Sequence, residues 1–484
     1  MEITSPRAWI VLVICLVAGF AAPPTAGADA EPHNIVFVLA DDLSWDLVQH
    51  MPQVRRMRRD GMTFRQFVVA DSMCCSSRAT ILTGQFPHNT RVLTNTWPEG
   101  GYRAFRRHGA RMRSVGISLQ DAGYRTGVLG KYLNAYSSLK HGVDPGWDEW
   151  FVTSMGYRGF GYRMSDNGRV RHYGHRARDY VTDVLARRGV RFIRRSAGHG
   201  PFFLKIATFA PHRPATPAPR HRHVRPRAAM TQGRAFNAQT RGAPRWLGSR
   251  SPLSRARLAG LRRHHALRVR SVQALDELIG RVRTTLRRKG IADDTYVVFS
   301  SDNGYHLGQH RLTLGKRTAF DHDVRVPLIV AGPGVRARSE SAALVGTVDL
   351  APTFEDWAGA PVDARRDGRS LARHLTGRRV AGWRQALLIE HAEPRIRAGD
   401  PDVQGWAMGL PSTYTALRTR HTTYVEYENG DRELYDRRRD PAELDNRAAR
   451  ISAARLARLH AKLERYRRCD GAASCWNAGT AARR

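Results

Sequence analysis

Apolar residues along this chain gather into short runs that stop at charged or polar residues. Residues 33–42 read HNIVFVLADD, a continuous apolar stretch rich in β-branched side chains that ends in Asp41 and Asp42. Residues 201–220, PFFLKIATFAPHRPATPAPR, repeat the pattern and run into His212 between Pro211 and Pro214. A third run, YVVFSS at 296–301, closes on Asp302 and Asn303, and VPLIV follows at 326–330. Runs of this length bounded by turn residues predict strands buried on both faces of a parallel sheet. Within 252–289, Val272, Leu275, Ile279, Val282 and Leu286 recur at three- and four-residue spacing. That is the stripe of a core-facing helix, stopped by Lys289 and Gly290. Residues 117–136 read as helix, turn and strand with Lys131 just past the strand end, and 345–360 and DGRSLARHL read as helices. Beyond about residue 375 come short alternating strands, ALLIEH, YTALRT, TTYVEYE and RELYD, and then a helix over 441–467. This last part predicts a small antiparallel α+β unit. Residues 213–250, rich in Pro, Arg and His and without periodicity, predict a long loop facing substrate.

The acids at the strand tips change the picture from fold to chemistry. In open α/β sheets ligands bind beyond the carboxyl ends of strands. If the tips meet, Asp41, Asp42, Asp302 and Asn303 form an all-oxygen set, which favours calcium or magnesium over zinc. An isolated acidic pair at a strand end is more commonly a solvated turn.

With 484 residues the chain has room for two domains, read here as 31–375 and 376–484. Residues 8–21, AWIVLVICLVAGFA, follow Arg7 and precede AGADA, which predicts a secretory signal over 1–30 cleaved after Ala28 or Ala30. No later stretch is long and apolar enough for a bilayer, so the mature protein is expected to be exported, extracytoplasmic and without stable membrane insertion. Cys469 and Cys475 flank DGAAS, which predicts a short-loop disulfide in an oxidising compartment. The formal charge of +36 raises nucleic-acid binding as a rival function, but the arginines are spread along the whole chain, and no nucleic-acid partner is expected. Lysine survives at only six positions, Lys131, Lys140, Lys205, Lys289, Lys316 and Lys462. An ammonium and a guanidinium are not interchangeable, so these positions merit inspection.

Residues 71–84, DSMCCSSRATILTG, predict a small-residue turn opening a short amphipathic helix. Cys74 would stand at its N-terminus, where free amides and the helix dipole lower a thiol pKa and favour a nucleophile. Arg78 lies one turn on, on the same face, placed to pair with an anion. On these residues alone, buried structural cysteines or a zinc site remain open.

The stretch CCSSRATILTG resembles the sulfatase signature, C-x-P-S-R followed by L-T-G, with Ser76 in place of proline. Four further blocks are similar to that family: GYRTGVLGK ending at Lys131, PGWDEW at 145–150, APHRP around His212, and SDNG through GKR around Asp302, Asn303 and Lys316. TGQFPHNTRVLTN and Asn134 resemble its N-acetylglucosamine-6-sulfatase branch, while Leu133 stands where many sulfatases carry histidine. The resemblance implies an alkaline-phosphatase-like α/β fold, with a large mixed central sheet flanked by helices and a smaller C-terminal antiparallel α+β subdomain. It implies that a formylglycine-generating enzyme converts Cys74 to Cα-formylglycine. The hydrated aldehyde would sit beside a Ca2+ ion (or Mg2+) held by Asp41, Asp42, Asp302, Asn303 and residue 74. One hydroxyl would attack sulfur, and loss of the second hydroxyl's proton would expel sulfate. Arg78, Lys131 and Lys316 would neutralise sulfate oxygens, His212 would protonate the leaving group, and His306 would line the substrate side. The substrate so implied is a sulfated carbohydrate, such as 6-O-sulfated N-acetylglucosamine of a glycosaminoglycan. Two alternatives stand beside it: a phosphonate monoester hydrolase or phosphodiesterase of the same superfamily, and a secreted basic protein that binds polyanions without catalysis.

Overall fold

Period-two alternation decides which side chains of each strand meet which layer. The computed structural model describes residues 1–2, 32–226, 230, 232–378, 380–394 and 411–480, so the expected signal segment lies outside the described residues apart from Met1 and Glu2. The first strands are β1 (Asn34–Ala40), β2 (Met62–Val68), β3 (Arg125–Lys131), β4 (Glu149–Thr153), β5 (Tyr162–Asp166) and β6 (Arg169–Tyr173). They are followed by β7 (Phe202–Ala207), β8 (Thr295–Ser301), β9 (His306–Leu307), β10 (Leu314–Gly315), β11 (Leu328–Ala331) and β12 (Ser339–Gly346). Ten of them form one mixed sheet in the order β12-β2-β11-β8-β1-β7-β3-β4-β5-β6. At its centre β1 runs parallel to both β7 and β8. β11 is antiparallel to β8 and β2, and β12 is parallel to β2.

Helices cover both faces: α1 (Pro52–Asp60), α2 (Cys74–Thr83), α3 (Val115–Asp121), α4 (Val181–Ser196), α5 (Arg255–Arg288), α6 (Leu350–Trp357) and α7 (Ala453–Arg467). In β1, Ile35, Phe37 and Leu39 enter one core layer with Phe354 and the C-terminal unit, while Val36, Val38 and Ala40 enter the other. That second layer holds the predicted stripe of α5, Val272 through Leu286. Full burial of such side chains contributes roughly 1.5–3 kcal/mol each. After residue 385 the chain builds a second sheet of four antiparallel strands, β13 (Ala386–His391), β14 (Tyr414–Thr419), β15 (Thr422–Tyr427) and β16 (Arg432–Asp436). The four strands read from sequence are the four observed. Leu387, Ala416 and Val425 of this sheet belong to the same core as Phe37.

Two expectations change. The helix expected over 441–467 begins at Ala453 and is not the last, since a further helix covers Gly471–Gly479. Upstream, Asp440 accepts from Leu444 and Asp445 N–H, and Asn446 accepts from Leu434 and Ala448 N–H. Side-chain bonds to backbone compete with a helical ladder, and Ser452 then caps the true start by accepting from Arg455 N–H. Helix α2, expected to be amphipathic, is buried at all ten positions. Of its polar side chains, Arg78 faces the carboxylates of Asp302 and Asp41, while Ser77 and Thr83 donate to backbone carbonyls.

Candidate active site

Strand β1 ends at Ala40 and β8 at Ser301, and these two residues are register partners in adjacent parallel strands. The tips therefore meet. Asp42 N–H donates to Asp302 Oδ1 at 3.1 Å, and Asn303 Nδ2 donates to Asp42 Oδ1 at 2.7 Å. Asp42 has φ 63°, a left-handed conformation uncommon outside glycine. Asp302 holds that residue on its N–H side, and Arg268 Nη2 donates to its carbonyl at 2.6 Å.

Helix α2 delivers the nucleophile candidate to this place. Cys74 Sγ lies 3.3 Å from Asp41 Oδ1, 3.8 Å from Asp42 Oδ1 and 2.7 Å from Lys316 Nζ. One turn on, Arg78 Nε donates to Asp302 Oδ2 at 2.8 Å and Nη1 to the Lys131 carbonyl at 2.9 Å. Its Nη2 is buried with no hydrogen-bond partner among the described residues, 3.8 Å from Asp41 Oδ1. Burial opposes the Arg78 charge, yet Asp302, Asp41 and Cys74 outweigh it and raise its pKa further. Lys131 Nζ reaches Asp41 Oδ2 at 2.7 Å, and Lys316 Nζ reaches Asp42 Oδ1 at 2.6 Å. For Lys131, too, burial is overcome by Asp41 and Cys74, and the ammonium is held charged. Just before Lys131, β3 approaches β7 closely at Gly130, φ +94°, where a Cβ would lie 1.9 Å from the Ala207 carbonyl oxygen. Asp302, for which burial acts against charge, is kept ionised below the usual carboxylate range by Arg78 and Lys131.

His212 arrives from the segment after β7. Its Nδ1 sits 2.6 Å from the Arg213 carbonyl, which can only accept, so Nδ1 carries the proton. The other nitrogen, Nε2, faces Asp42 Oδ2 at 3.6 Å. Ligand atoms of Asp41, Asp42, Cys74 and His212 all lie within 4.8 Å of one another. Asn303 Oδ1 is buried with no hydrogen-bond partner among the described residues. An orphaned oxygen beside two carboxylates is a donor set that fits a hard divalent cation. Asp302 stands beside this group, with its carboxylate engaged by Asp42 N–H, Asn303 N–H and Arg78. His306 stands apart from it: Nδ1 contacts Asp323 at 2.9 Å, while its backbone pairs with Gly315, next to Lys316. Outside this group, Cys469 and Cys475 form a disulfide six residues apart in sequence, while Cys74 and Cys75 are buried and outside any disulfide.

Three participants escape the motifs. Arg268 is fully buried on α5, donates to Asp42 and Ser44, and stacks its guanidinium 4.3 Å from the Tyr305 ring. Its signal was an arginine four residues before Val272, on the apolar stripe. Tyr157 places its ring 4.6 Å from that of His212 and 5.0 Å from Lys131 Nζ, and nothing in the sequence marked it. Lys205, a cation in the middle of FFLKIA, is buried with Nζ unpartnered among the described residues.

The family model described as Sulfatase matches residues 33–360, and one described as N-sulphoglucosamine sulphohydrolase, C-terminal, matches 308–469. The human protein named N-acetylglucosamine-6-sulfatase is 30% identical over 95% of this chain and 89% of its own length. Among solved structures, one in complex with its substrate D-glucosamine-2-N,6-O-disulfate superposes with a TM-score of 0.76 at 22% identity, covering 90% of this chain and 97% of the other. A phosphonate monoester hydrolase from Silicibacter pomeroyi superposes at 0.69 with 25% identity, covering 90% and 95%.

Proposed function

This chain belongs to the sulfatase family and is a sulfuric ester hydrolase, and from that premise we propose that it is exported and removes sulfate from a sulfated sugar, 6-O-sulfated N-acetylglucosamine or a close relative. The relatives' substrates support the sugar, and the apolar run at 8–21 together with the Cys469–Cys475 disulfide supports export. In this reading 31–375 carries the chemistry and 376–484 forms a subdomain beside it.

The observation that carries the proposal is the meeting of Cys74, Arg78, Lys131, Lys316 and His212 around Asp41 and Asp42. Sulfate transfer needs charge neutralisation on nonbridging oxygens, an in-line nucleophile and a proton for the leaving alkoxide. Asp41, Asp42 and Asp302 are paired here with Arg78, Lys131 and Lys316, and Arg268 adds a further positive charge at the Asp42 carbonyl. A calcium or magnesium ion held by Asp41, Asp42 and Asn303, with Asp302 and residue 74 adjoining, would supply two further positive charges and lower the pKa of a neighbouring hydroxyl. Cα-formylglycine made from Cys74 by a formylglycine-generating enzyme would supply two hydroxyls in its hydrated form, where a cysteine offers one thiol. Arg78 Nη2, having no hydrogen-bond partner among the described residues, is the donor for a sulfate oxygen, and Lys131 and Lys316 flank it. His212 holds its acid proton on Nε2, since Nδ1 is committed to the backbone.

Peptide mass spectrometry across residues 71–78 of the secreted protein should find a mass about 18 Da below the thiol form, as oxidation of the side chain requires. The same protein should release sulfate from glucosamine 6-sulfate and from an aryl sulfate. Faster turnover of an aryl phosphonate ester would move the function to the phosphonate hydrolases, whose Silicibacter member shares the fold.

A further inference from the structure

Away from the catalytic tips, arginines crowd the opposite end of the sheet. β2 and β12 run parallel to each other, and both oppose β11, which opposes β8. Thr63 and Ser339 thus lie at the starts of strands whose direction matches β1 and β8. The catalytic residues follow the ends of β1 and β8, so a seven-residue strand, about 20 Å at ~3.3 Å per residue, separates the two places. Here a cleft of about 300 Å³ is lined by Arg55, Arg58 and Arg59 of α1, Arg338, and a single acid, Glu340.

Backbone geometry builds this crowding. Arg338 N–H donates to the Arg59 carbonyl at 3.1 Å, and Ser339 N–H donates to the Gly61 carbonyl at 3.4 Å. The loop before β12 is thereby tied to the C-terminal end of α1, and Arg338 adopts φ 50° there. Glu340 is already shared between Arg58 and Arg65, at 3.4 Å each. Arg55, Arg59 and Arg338 are exposed and have no ion pair among the described residues. Three like charges crowded beside a single carboxylate that two other arginines already share repel one another. An anion with several oxygens relieves that repulsion, and guanidinium groups bind sulfate-type oxygens in paired hydrogen bonds.

We propose that this cleft is a docking site for the sulfated stretch of a glycan polymer, separate from the catalytic pocket. It would hold the enzyme on its polymer and raise the local concentration of esters near the active site. The proposal rests on the reading of the substrate as a sulfated sugar. Its test is a direct binding measurement that needs no turnover, so failure of either can be told apart.

The triple variant Arg55→Gln, Arg59→Gln, Arg338→Gln is compared with a control of equal charge change, Arg191→Gln, Arg194→Gln, Arg195→Gln on α4, whose three side chains are also exposed. Binding to heparin is titrated over a range of salt. The cleft variant should lose about tenfold or more in affinity, with a salt slope shallower by about one per arginine removed. The control should lose little, and KM for a polymeric sulfated glycan should rise only in the cleft variant. Aryl sulfate kcat/KM should be unchanged in both. Equal losses in the two variants would reduce heparin binding to diffuse charge and overturn the proposal, as would no loss in either. A loss confined to duplex DNA, with heparin binding intact, would overturn it as well.

Discussion

Lys205 sits in the middle of β7, register-paired with Phe37 on one side and Val128 on the other. Burial, then the nearby charge of Arg78, pull its pKa from 10.5 down to about 7. Between those values the unfolded chain holds a proton that the folded chain lacks, so stability rises with pH through that window and the penalty is fully present below it. Lys205→Met should flatten the rise and stabilise the protein at neutral pH by about 1–3 kcal/mol. Urea unfolding at several pH values reads this directly, and a variant no more stable than its parent contradicts it. His212 carries a different prediction. His212→Ala should cut turnover of a sugar sulfate by about a hundred- to ten-thousandfold while calorimetric calcium binding persists. The loss should be smaller with an aryl sulfate, whose leaving group needs less help from an acid; equal losses would remove His212 as proton donor. At this scale the sequence marked Cys74 and Arg78 by their place at a helix start, and Lys131 and Lys316 through the resemblance of their blocks to sulfatases. It could not mark Tyr157, because an aromatic residue in a loop acquires meaning only from what folds against it.

Among the elements, α2 depends on a residue nearly three hundred positions away. Arg366 is buried and donates to the Thr83 carbonyl at 2.5 Å, to the Arg113 carbonyl at 2.6 Å and to Glu355 Oε1 at 2.5 Å. It joins the C-terminal end of α2 to the entry of α3 and to α6. Arg366→Met should cost about 3–5 kcal/mol, because Glu355 is left buried and uncompensated. Adding Glu355→Leu should recover much of the loss, and a double-mutant cycle in chemical denaturation measures the coupling. Part of the fold was legible: the apolar runs became β1, β7, β8 and β11, and the stripe at 272–286 became the buried face of α5, whereas β2, β4, β5, β6, β12, α1 and α4 were not read from the sequence. The start of α7 was not, since Asp440 and Asn446 take up backbone groups that propensity would have assigned to a helix. Nor was the burial of α2 on every side, where Cys75, Ala79, Ile81 and Leu82 enter the core and Arg78 meets carboxylates at the tips of β1 and β8.

For the whole molecule, the proposed cation site of Asp41, Asp42 and Asn303 is assembled only in the folded state, so under that proposal calcium should stabilise the protein. At a free concentration of about a hundred times Kd the gain is about 2.7 kcal/mol. Melting with excess chelator should give a lower Tm, restored by calcium, and Asp41→Asn should lose the response; a Tm indifferent to both would end the metal assignment. The sequence by itself determined strands β1, β3, β7, β8 and β11 and the four of the C-terminal sheet, the long helix, the acids at two strand tips and the cysteine at a helix start, because hydrophobic period and turn chemistry are local properties. Only the tertiary structure decided that β8 lies beside β1, which turns two acidic tips about 260 residues apart into one site. It also decided that Arg268 and Tyr157 close that site, and that α1 and the loop before β12 gather unpaired arginines at the far end of the sheet. Those facts depend on strand order and register, which are set by long-range packing and leave no short-range trace along the chain.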